Sequence, residues 1–236
     1  MNNILITGAS LAIGKSLIEL IDKRNLTIIA HYNKSKNFKK FLKNGNFKSK
    51  IICISSDFSK SSHLRKFLNK ISKYKIENII HISSKRITAK RFNLLNDTDY
   101  ASEIKLSFNS IFNILKLCLK SMTKRNKGKI IFILSSSVIN APAYFSQYVC
   151  IKYLLLGLMK SLTAEYKKTK IKFIALSPTM METPFIQNLN PNLIYMNKLQ
   201  SKSKKFLKPI NLAKKIKNLL SLKSKVASGT NLSISV

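Results

Sequence analysis

Residues 4–17 read ILITGASLAIGKSL, in which a short apolar run passes through a glycine-containing turn into a helical pattern. A strand, a glycine turn and a helix in this order form the phosphate-binding start of a βαβ unit. Gly8 suits the tight turn, and Gly14 allows the helix to approach the strand closely. The pattern therefore predicts a nucleotide site at the carboxyl end of the first strand.

Short apolar runs and longer helical patterns alternate along the rest of the chain. The predicted strands are short and β-branched, as buried parallel strands are, and span residues 4–7, 26–31, 50–55, 78–83, 129–135, 171–177 and 231–235. The predicted helices lie near residues 13–23, 36–44, 60–73, 99–124, 145–168, 184–205 and 209–221. This alternation predicts an α/β doubly wound Rossmann fold with a seven-stranded parallel sheet flanked by helices.

The chain is strongly basic, with 43 lysines and arginines, 9 acidic residues and a formal net charge of +34. Lysines occur in nearly every predicted helix and loop, and the densest runs are residues 34–43 and 200–208. This even spread indicates compositional drift more than selection for nucleic-acid binding. The charge should still attract anions, such as nucleotide phosphates or an acidic protein partner.

Hydropathy and cysteine usage bear on the compartment. No apolar stretch reaches the roughly 18 residues that a membrane helix needs, and the first strand begins too early for a targeting segment to precede it. Cys53, Cys118 and Cys150 are odd in number and widely spaced in apolar patterns. We therefore expect buried free thiols rather than disulfides or a metal site, in a cytoplasmic protein with no membrane partner.

A second informative stretch, residues 128–152, reads GKIIFILSSSVINAPAYFSQYVCIK. Tyr148 and Lys152 are four residues apart and share one face of a helix, and Ser135 stands thirteen residues before Tyr148 at the end of an apolar run. The three side chains can meet at the carboxyl end of a strand. An ammonium about 4 Å from a phenol lowers its pKa by up to roughly three units, so we expect Tyr148 to titrate closer to neutrality.

The order and spacing of these motifs, with Pro178–Thr183 after them, resemble the short-chain dehydrogenase/reductase (SDR) family, and within it the 3-oxoacyl-carrier-protein reductases. The resemblance covers nearly the whole chain. It implies a single domain of residues 1–236, with a nucleotide half of about 1–125 and a catalytic and substrate half of about 126–236.

The resemblance also implies roles for the candidate catalytic residues. Tyr148 would protonate a carbonyl oxygen while a nicotinamide delivers hydride, Ser135 would hydrogen-bond that oxygen, and Lys152 would bind the ribose. The family often adds an asparagine from the long preceding helix. Ser107 falls at that position here, whereas Asn109 is rotated by about 200° around the helix.

The implied cofactor contacts are spread over both halves of the chain: Gly8, Ser10, Ala12, Ile13, Gly14, Asn33, Lys34, Asp57, Tyr148, Lys152, Pro178 and Thr183. Two stretches depart from the family, because Ala12 replaces a glycine and HISS at residues 81–84 replaces NNAG. Asp57 matches an adenine contact and also suits the N-cap of a helix starting near residue 59 or 60. The second strand ends without an acid and near Lys34, which favours NADP(H) over NAD(H).

Together these features predict an NADPH-dependent ketoreductase that converts a ketone to a secondary alcohol. The resemblance favours a 3-oxoacyl thioester on a carrier protein, in fatty acid biosynthesis, with Lys124, Arg125 and Lys127 docking the carrier beside the active-site mouth. A polyketide, a sugar or another small carbonyl compound is the alternative substrate. A basic nucleic-acid-binding protein and a noncatalytic NADP sensor are alternatives of other classes, against which the complete Ser-Tyr-Lys set argues.

Family members commonly pair two long helices across two-fold axes. The matching helices are residues 99–124 and 145–168, and the second carries the apolar residues Leu154, Leu155, Leu158 and Leu162. Stripes of this width cannot all face one sheet. We therefore expect a homodimer or a homotetramer.

Overall fold

The computed structural model describes residues 2–200 and 204–236. In these residues a seven-stranded sheet, parallel throughout, runs in the order β3-β2-β1-β4-β5-β6-β7. The strands are β1 (Asn2–Thr7), β2 (Leu26–Tyr32), β3 (Lys50–Ser55), β4 (Ile76–His81), β5 (Gly128–Ile133), β6 (Ile171–Pro178) and β7 (Asn231–Ile234). The strand order reverses between β1 and β4, where a crevice opens at the carboxyl edge. The predicted Rossmann fold is confirmed.

Helices cover both faces of the sheet. They are α1 (Ala12–Ile21), α2 (Lys36–Asn44), α3 (Ser61–Ile71), α4 (Asp97–Glu103), α5 (Ser110–Arg125), α6 (Ser146–Glu165), α7 (Pro191–Gln200) and α8 (Pro209–Leu220). One core layer is formed by the sheet with α3, α5 and α6, and the other by the sheet with α1, α2 and α8. Buried apolar area on both faces fixes the sheet, so the carboxyl ends of its strands are a rigid platform.

Two predicted helices are interrupted. The helix expected over residues 99–124 consists of α4, a π-helical turn (Ile104–Asn109) and α5. The helix expected over residues 184–205 divides into a 3₁₀ turn (Pro184–Ile186) and α7, because a residue before a proline avoids the helical region and Pro191 starts a new helix. Residues 201–203 of that prediction and of the basic run 200–208 lie outside the described residues.

The expectation of three buried thiols is wrong for two of them. Cys118 is buried on α5, whereas Cys53 and Cys150 are exposed. Cys53 lies on β3, an edge strand of the sheet, and Cys150 points outward from α6, so neither is covered. Within residues 2–200 and 204–236, no helix is both long and apolar enough to cross a membrane.

The predicted carrier-docking residues do not lie beside the active-site mouth of their own chain. Lys124, Arg125 and Lys127 precede β5, at the amino edge of the sheet, whereas Ser135 follows the carboxyl end of that strand. Six residues of strand separate the two edges by about 20 Å. Arg125 and Lys127 are also paired with Glu77, at 3.8 Å and 3.0 Å. We therefore correct that expectation.

Candidate active site

The glycine turn after β1 has the geometry that a bound phosphate needs. Gly8 has φ +70°, and a Cβ there would lie 2.9 Å from Ser83 N. A Cβ on Gly14 would lie 2.5 Å from Ala9 O, so α1 packs against the turn only because Gly14 has no side chain. Ala12 is the first residue of α1 and therefore has the negative φ that an alanine tolerates. No side chain caps α1, which leaves backbone N–H groups for an anion.

The two other predicted residues of the turn contribute in different ways. Ile13 is buried in the core layer of α1, so its backbone N–H is the group that can meet a phosphate. Ser10 is half-buried in the turn itself. Backbone donors and small side chains at this helix start fit the pyrophosphate of a dinucleotide.

At the end of β2 the structure adds a residue that sequence reasoning missed. Gly8 N donates to His31 Nδ1 at 3.2 Å, and His31 Nε2 donates to Ser56 O at 2.9 Å. The His31 ring stacks on Phe58, with centroids 3.6 Å apart. His31 thus connects the glycine turn to the end of β3. Asn33 and Lys34 follow in an exposed turn, where a ribose or its 2′-phosphate would lie.

Asp57 does not cap α3, because α3 begins at Ser61 and its N-cap is Lys60. Instead Asp57 Oδ1 accepts hydrogen bonds from Ser59 N at 3.0 Å and Ser59 Oγ at 2.6 Å. Burial raises the pKa of Asp57, but the Ser59 hydrogen bonds and the nearby Lys60 and His63 together lower it, and the net shift is downward. Asp57 is therefore an ionised turn residue just after β3, at the carboxyl edge of the sheet.

Ser135, Tyr148 and Lys152 are brought together at the carboxyl edge. Ser135 follows β5, and α6 carries Tyr148 and Lys152 on one face. The Ser135 side chain is close enough to lower the pKa of the Tyr148 hydroxyl, and the Lys152 ammonium lies 5.3 Å from the centre of the Tyr148 ring. Lys152 is 4% exposed, and its Nζ donates to Ile133 O at 3.1 Å.

The protonation of this group differs from the expectation. Burial raises the pKa of Tyr148 to about 12; the Ser135 hydrogen bond lowers it, and the Glu103 charge raises it further. Burial lowers the pKa of Lys152 to about 8, against the opposing effect of Glu103. The expected lowering of the Tyr148 pKa toward neutrality is therefore wrong for this structure. Tyr148 remains a phenol with a proton to give.

The π-helical turn places Ser107 at the site, and Asn109 away from it. Ser107 is fully buried. The backbone carbonyl of Asn109 accepts a hydrogen bond from the Asn113 side chain, one turn further along the helix. Ser107 O accepts from His81 Nε2 at 2.7 Å, and His81 Nδ1 accepts from Thr7 Oγ1 at 2.8 Å. A π-helical turn interrupts the regular hydrogen bonding of an α-helix, so the backbone carbonyl of Ser107 can accept from a side chain. His81 is thus a buried wall residue that connects β1 to this turn.

Glu103 was also missed by sequence reasoning. Its Oε1 accepts from Ser107 Oγ at 2.6 Å, and its charge acts on both Tyr148 and Lys152. The available signal was an acid four residues before Ser107 in a chain with only 9 acids.

The segment after β6 closes the other side of the crevice. Pro178 ends that strand, and Thr179 N donates to Ile234 O at 2.9 Å. The Thr183 side chain accepts from Phe185 N at 3.4 Å and so caps the 3₁₀ turn that begins at Pro184. Its hydroxyl proton can still be donated to a ligand.

Comparison with known proteins agrees with this geometry. The family model described as short chain dehydrogenase matches residues 2–194. The 3-oxoacyl-[acyl-carrier-protein] reductase of Buchnera aphidicola subsp. Baizongia pistaciae is 27% identical over 214 residues, which cover 88% of this chain and 85% of that protein. The enzyme of the same name from Salmonella typhimurium is 28% identical over 192 residues, covering 79% and 76%.

Solved structures share the fold. A 4-hydroxyisoleucine dehydrogenase complexed with NADH superposes with a TM-score of 0.87 at 22% identity, covering 100% of this chain and 97% of that one. An actinorhodin polyketide ketoreductase with NADPH gives a TM-score of 0.85 at 17% identity, covering 99% and 95%. With the family model matched over residues 2–194, this chain belongs to the short-chain dehydrogenase/reductase family of NAD(P)-dependent oxidoreductases.

Proposed function

We propose that this protein is an NADPH-dependent ketoreductase that reduces a 3-oxoacyl thioester carried by an acidic carrier protein. The observation that carries the proposal is the grouping of Ser135, Tyr148 and Lys152 at the carboxyl edge of the sheet, across the crevice from the glycine turn. A phenol, a hydroxyl and a cation so placed serve proton transfer to a carbonyl oxygen.

Each residue has a defined task in this proposal. The bound dinucleotide supplies a hydride to the carbonyl carbon. Ser135 donates a hydrogen bond to the carbonyl oxygen, and Tyr148 gives that oxygen its proton. Because the pKa of Tyr148 is about 12, the proton is present at neutral pH. Lys152, with its pKa lowered to about 8 by burial, is the cation that holds the ribose below that pH.

The proposed preference for NADPH rests on the turn after β2. Residues 31–36 read HYNKSK and contain no carboxylate to repel a 2′-phosphate, and Lys34 is exposed there. Lys34→Glu should therefore weaken NADPH binding and leave NADH binding little changed, as measured by fluorescence titration. Lys43→Glu, an equal charge change at an exposed site near the far end of α2, is the control. Equal affinities for NADPH and NADH in the unaltered protein would contradict this preference.

The surroundings of Tyr148 support an acyl substrate over a sugar. A small apolar cluster of Ile87, Phe145, Ile186 and Leu189 packs beside Tyr148. On α7, Leu193 and Ile194 pack against this cluster. Walls of this kind suit an acyl chain and give a sugar few hydrogen-bond partners.

A basic segment borders the mouth of the site. The mouth segment, residues 85–91, reads KRITAKR, with four cations in seven residues. It is held over the site because Ile87 N donates to Phe185 O at 3.1 Å, and Phe185 packs against Tyr148. Arg86 and Arg91 are exposed on this segment. The named relatives act on carrier-bound substrates, and an acidic carrier would meet this charge first.

The deciding experiment follows NADPH consumption with a carrier-bound 3-oxoacyl thioester and with a small free β-keto ester. Arg86→Glu and Arg91→Glu should each lower kcat/KM for the carrier-bound substrate several-fold, because electrostatic docking mainly sets association rate. The free ester should respond little. Lys70→Glu, exposed at the amino edge of the sheet, is the control. Equal responses of both substrates, or turnover of a polyketide or sugar ketone alone, would contradict the carrier proposal.

The proposal also includes an oligomeric state and a cellular location. A homodimer is supported by exposed apolar side chains on α5 (Phe112, Leu117) and on α6 (Tyr153, Leu154). A cytoplasmic location is supported by two exposed thiols, which suit a reducing compartment.

A further inference from the structure

A groove opens between α3 and the π-helical turn, away from the active site. It encloses about 240 Å³. Its floor is apolar, because Phe58 and Leu64 are buried, at 2% and 7% exposure, and Leu68 is half-buried. Pockets for drug-sized ligands enclose roughly 300–1,000 Å³, so this groove suits a smaller molecule.

The walls of the groove carry positive charge. Arg65 on α3 and Lys105 on the π-helical turn line it and are exposed. Within residues 2–200 and 204–236, no ion pair joins either cation to an acid, and no acidic side chain lines the groove. Two cations that face one cavity with no anion between them favour an anionic ligand.

Two half-buried amides, Asn109 and Asn113, complete the wall. Asn113 Nδ2 donates one of its two protons to Asn109 O at 2.7 Å. The other Nδ2 proton of Asn113 and the side-chain amide of Asn109 can donate to a ligand oxygen. Asn109 is the residue that the helix turns away from the active site, and the groove is where its side chain lies.

The groove also contacts elements that reach the crevice. The ring of Phe58 stacks on His31, with centroids 3.6 Å apart, and His31 Nδ1 accepts from Gly8 N at 3.2 Å. Lys105 belongs to the π-helical turn that carries Ser107 at the active site. A molecule in the groove would therefore restrain a ring that contacts the support of the glycine turn.

We propose that this groove is a second ligand site, which takes a small carboxylate with a short apolar body and is linked to cofactor binding through Phe58 and His31. The carboxylate would lie between Arg65 and Lys105, and the apolar body would cover Phe58. Restraining Phe58 also restrains His31 and the glycine turn, so an occupant should tighten cofactor binding.

The first test is calorimetric titration with sodium hexanoate at constant ionic strength. Hexanoate should bind with a dissociation constant on the order of 1 mM. Acetate has the charge without the apolar body, and hexanol has the body without the charge, so each should bind at least about five-fold more weakly.

Arg65→Glu should weaken hexanoate binding at least about five-fold, because it reverses one of the two charges in the groove. Lys66→Glu is the matched control, since Lys66 is exposed at the next position of α3, rotated by about 100° around the helix. Absence of hexanoate binding would overturn the proposal. Equal weakening in the two variants, or acetate binding as tightly as hexanoate, would also overturn it, because the anion would then be attracted only by the general positive charge.

The second test measures NADPH affinity with and without saturating hexanoate. NADPH should bind at least about two-fold more tightly with hexanoate present. Phe58→Leu keeps an apolar floor but removes the stacked ring, so hexanoate should still bind and the gain should disappear. An NADPH affinity that does not rise in the unaltered protein, or a gain that persists in Phe58→Leu, would overturn the link. Neither test needs turnover, so a protein that reduces no ketone would contradict only the proposed function.

Discussion

Two histidines at the carboxyl edge of the sheet are held neutral by burial, against the opposing effect of the carbonyls that accept from them. His31 Nε2 and His81 Nε2 each donate to a backbone carbonyl, of Ser56 and Ser107. Their Nδ1 atoms accept, from Gly8 N and from Thr7 Oγ1. A proton on His31 Nδ1 would face the N–H of Gly8, which can only donate. Burial, the largest cause, lowers the pKa of His31 to about 4 and of His81 to about 3.

These shifts predict a loss of stability in acid. The unfolded chain binds the protons near pH 6.5 and the folded chain only near 4 and 3, so stability is present above 6.5 and falls as pH drops through this window. Each histidine should contribute on the order of 2–3 kcal/mol between pH 6.5 and 4. Urea unfolding across this range should show the slope, and His31→Gln or His81→Gln should flatten it. His63→Gln, on an exposed residue, should not; an equal slope in all variants would contradict the assignment.

Spacing in the sequence identified some site residues and could not identify others. Tyr148 and Lys152 are one helical turn apart, so their shared face is encoded locally. His31 and Glu103 gain their roles from distant partners: Gly8 lies 23 residues from His31, and Ser84 lies 19 residues from Glu103. The raised pKa of Tyr148 was not predictable either, because its largest cause is burial. Burial depends on packing between segments that are distant in the sequence.

At the level of elements, half-buried lysines on two adjacent strands hold the end of α8 and the connection that follows it. Lys129 on β5 donates to Leu219 O at 2.9 Å and to Ser221 O at 2.7 Å, at the carboxyl end of α8. Its neighbour in register, Lys172 on β6, donates to Val226 O at 2.9 Å. Cations at a helix carboxyl terminus satisfy its free carbonyls and its dipole. The two lysines therefore anchor the connection that leads to β7.

Lys129→Met should lower the free energy of unfolding by about 1–2 kcal/mol, because two carbonyls at the end of α8 lose a charged donor. Urea unfolding measures the change. Lys217→Met, at an exposed position of the same helix, removes an equal charge and should change stability by less than about 0.5 kcal/mol. Equal losses in the two variants would show that the contact at Lys129 contributes nothing beyond its charge.

The alternation of strands and helices was predictable because periodicity and β-branching are local properties. The π-helical turn was not, since residues 104–109 (IKLSFN) contain no glycine, proline or other local signal that distinguishes a π-helical from an α-helical turn. The break at Pro191 was visible in the sequence as a proline preceded by Asn190, and was overlooked.

For the whole molecule, the outer face of α5 and α6 is the surface that a partner would cover. Of the four leucines in the apolar stripe of α6, part of which was expected between subunits, Leu155 is fully buried in the core, and Leu158 and Leu162 pack partly against it. Leu154 alone of the four is exposed, at 41%. The apolar stripe therefore divides between the sheet and the outer face.

Sedimentation velocity at micromolar concentration should show a dimer, and Leu154→Glu should shift it toward monomer by placing a charge in the apolar contact. Leu222→Glu is the matched control, because Leu222 is 88% exposed beyond the end of α8. A monomeric wild-type protein would contradict the proposed dimer, and so would equal dissociation of both variants.

The proton of Tyr148 is the centre of the proposed chemistry. The most direct measurement is therefore NADPH-dependent reduction of a ketone by the Tyr148→Phe variant, with NADPH affinity measured in parallel. The ring remains and the hydroxyl is lost, so kcat should fall by about 10²–10⁴ while NADPH affinity stays within about two-fold. Undiminished turnover in Tyr148→Phe would show that another group protonates the carbonyl oxygen, and the account of this site would be wrong.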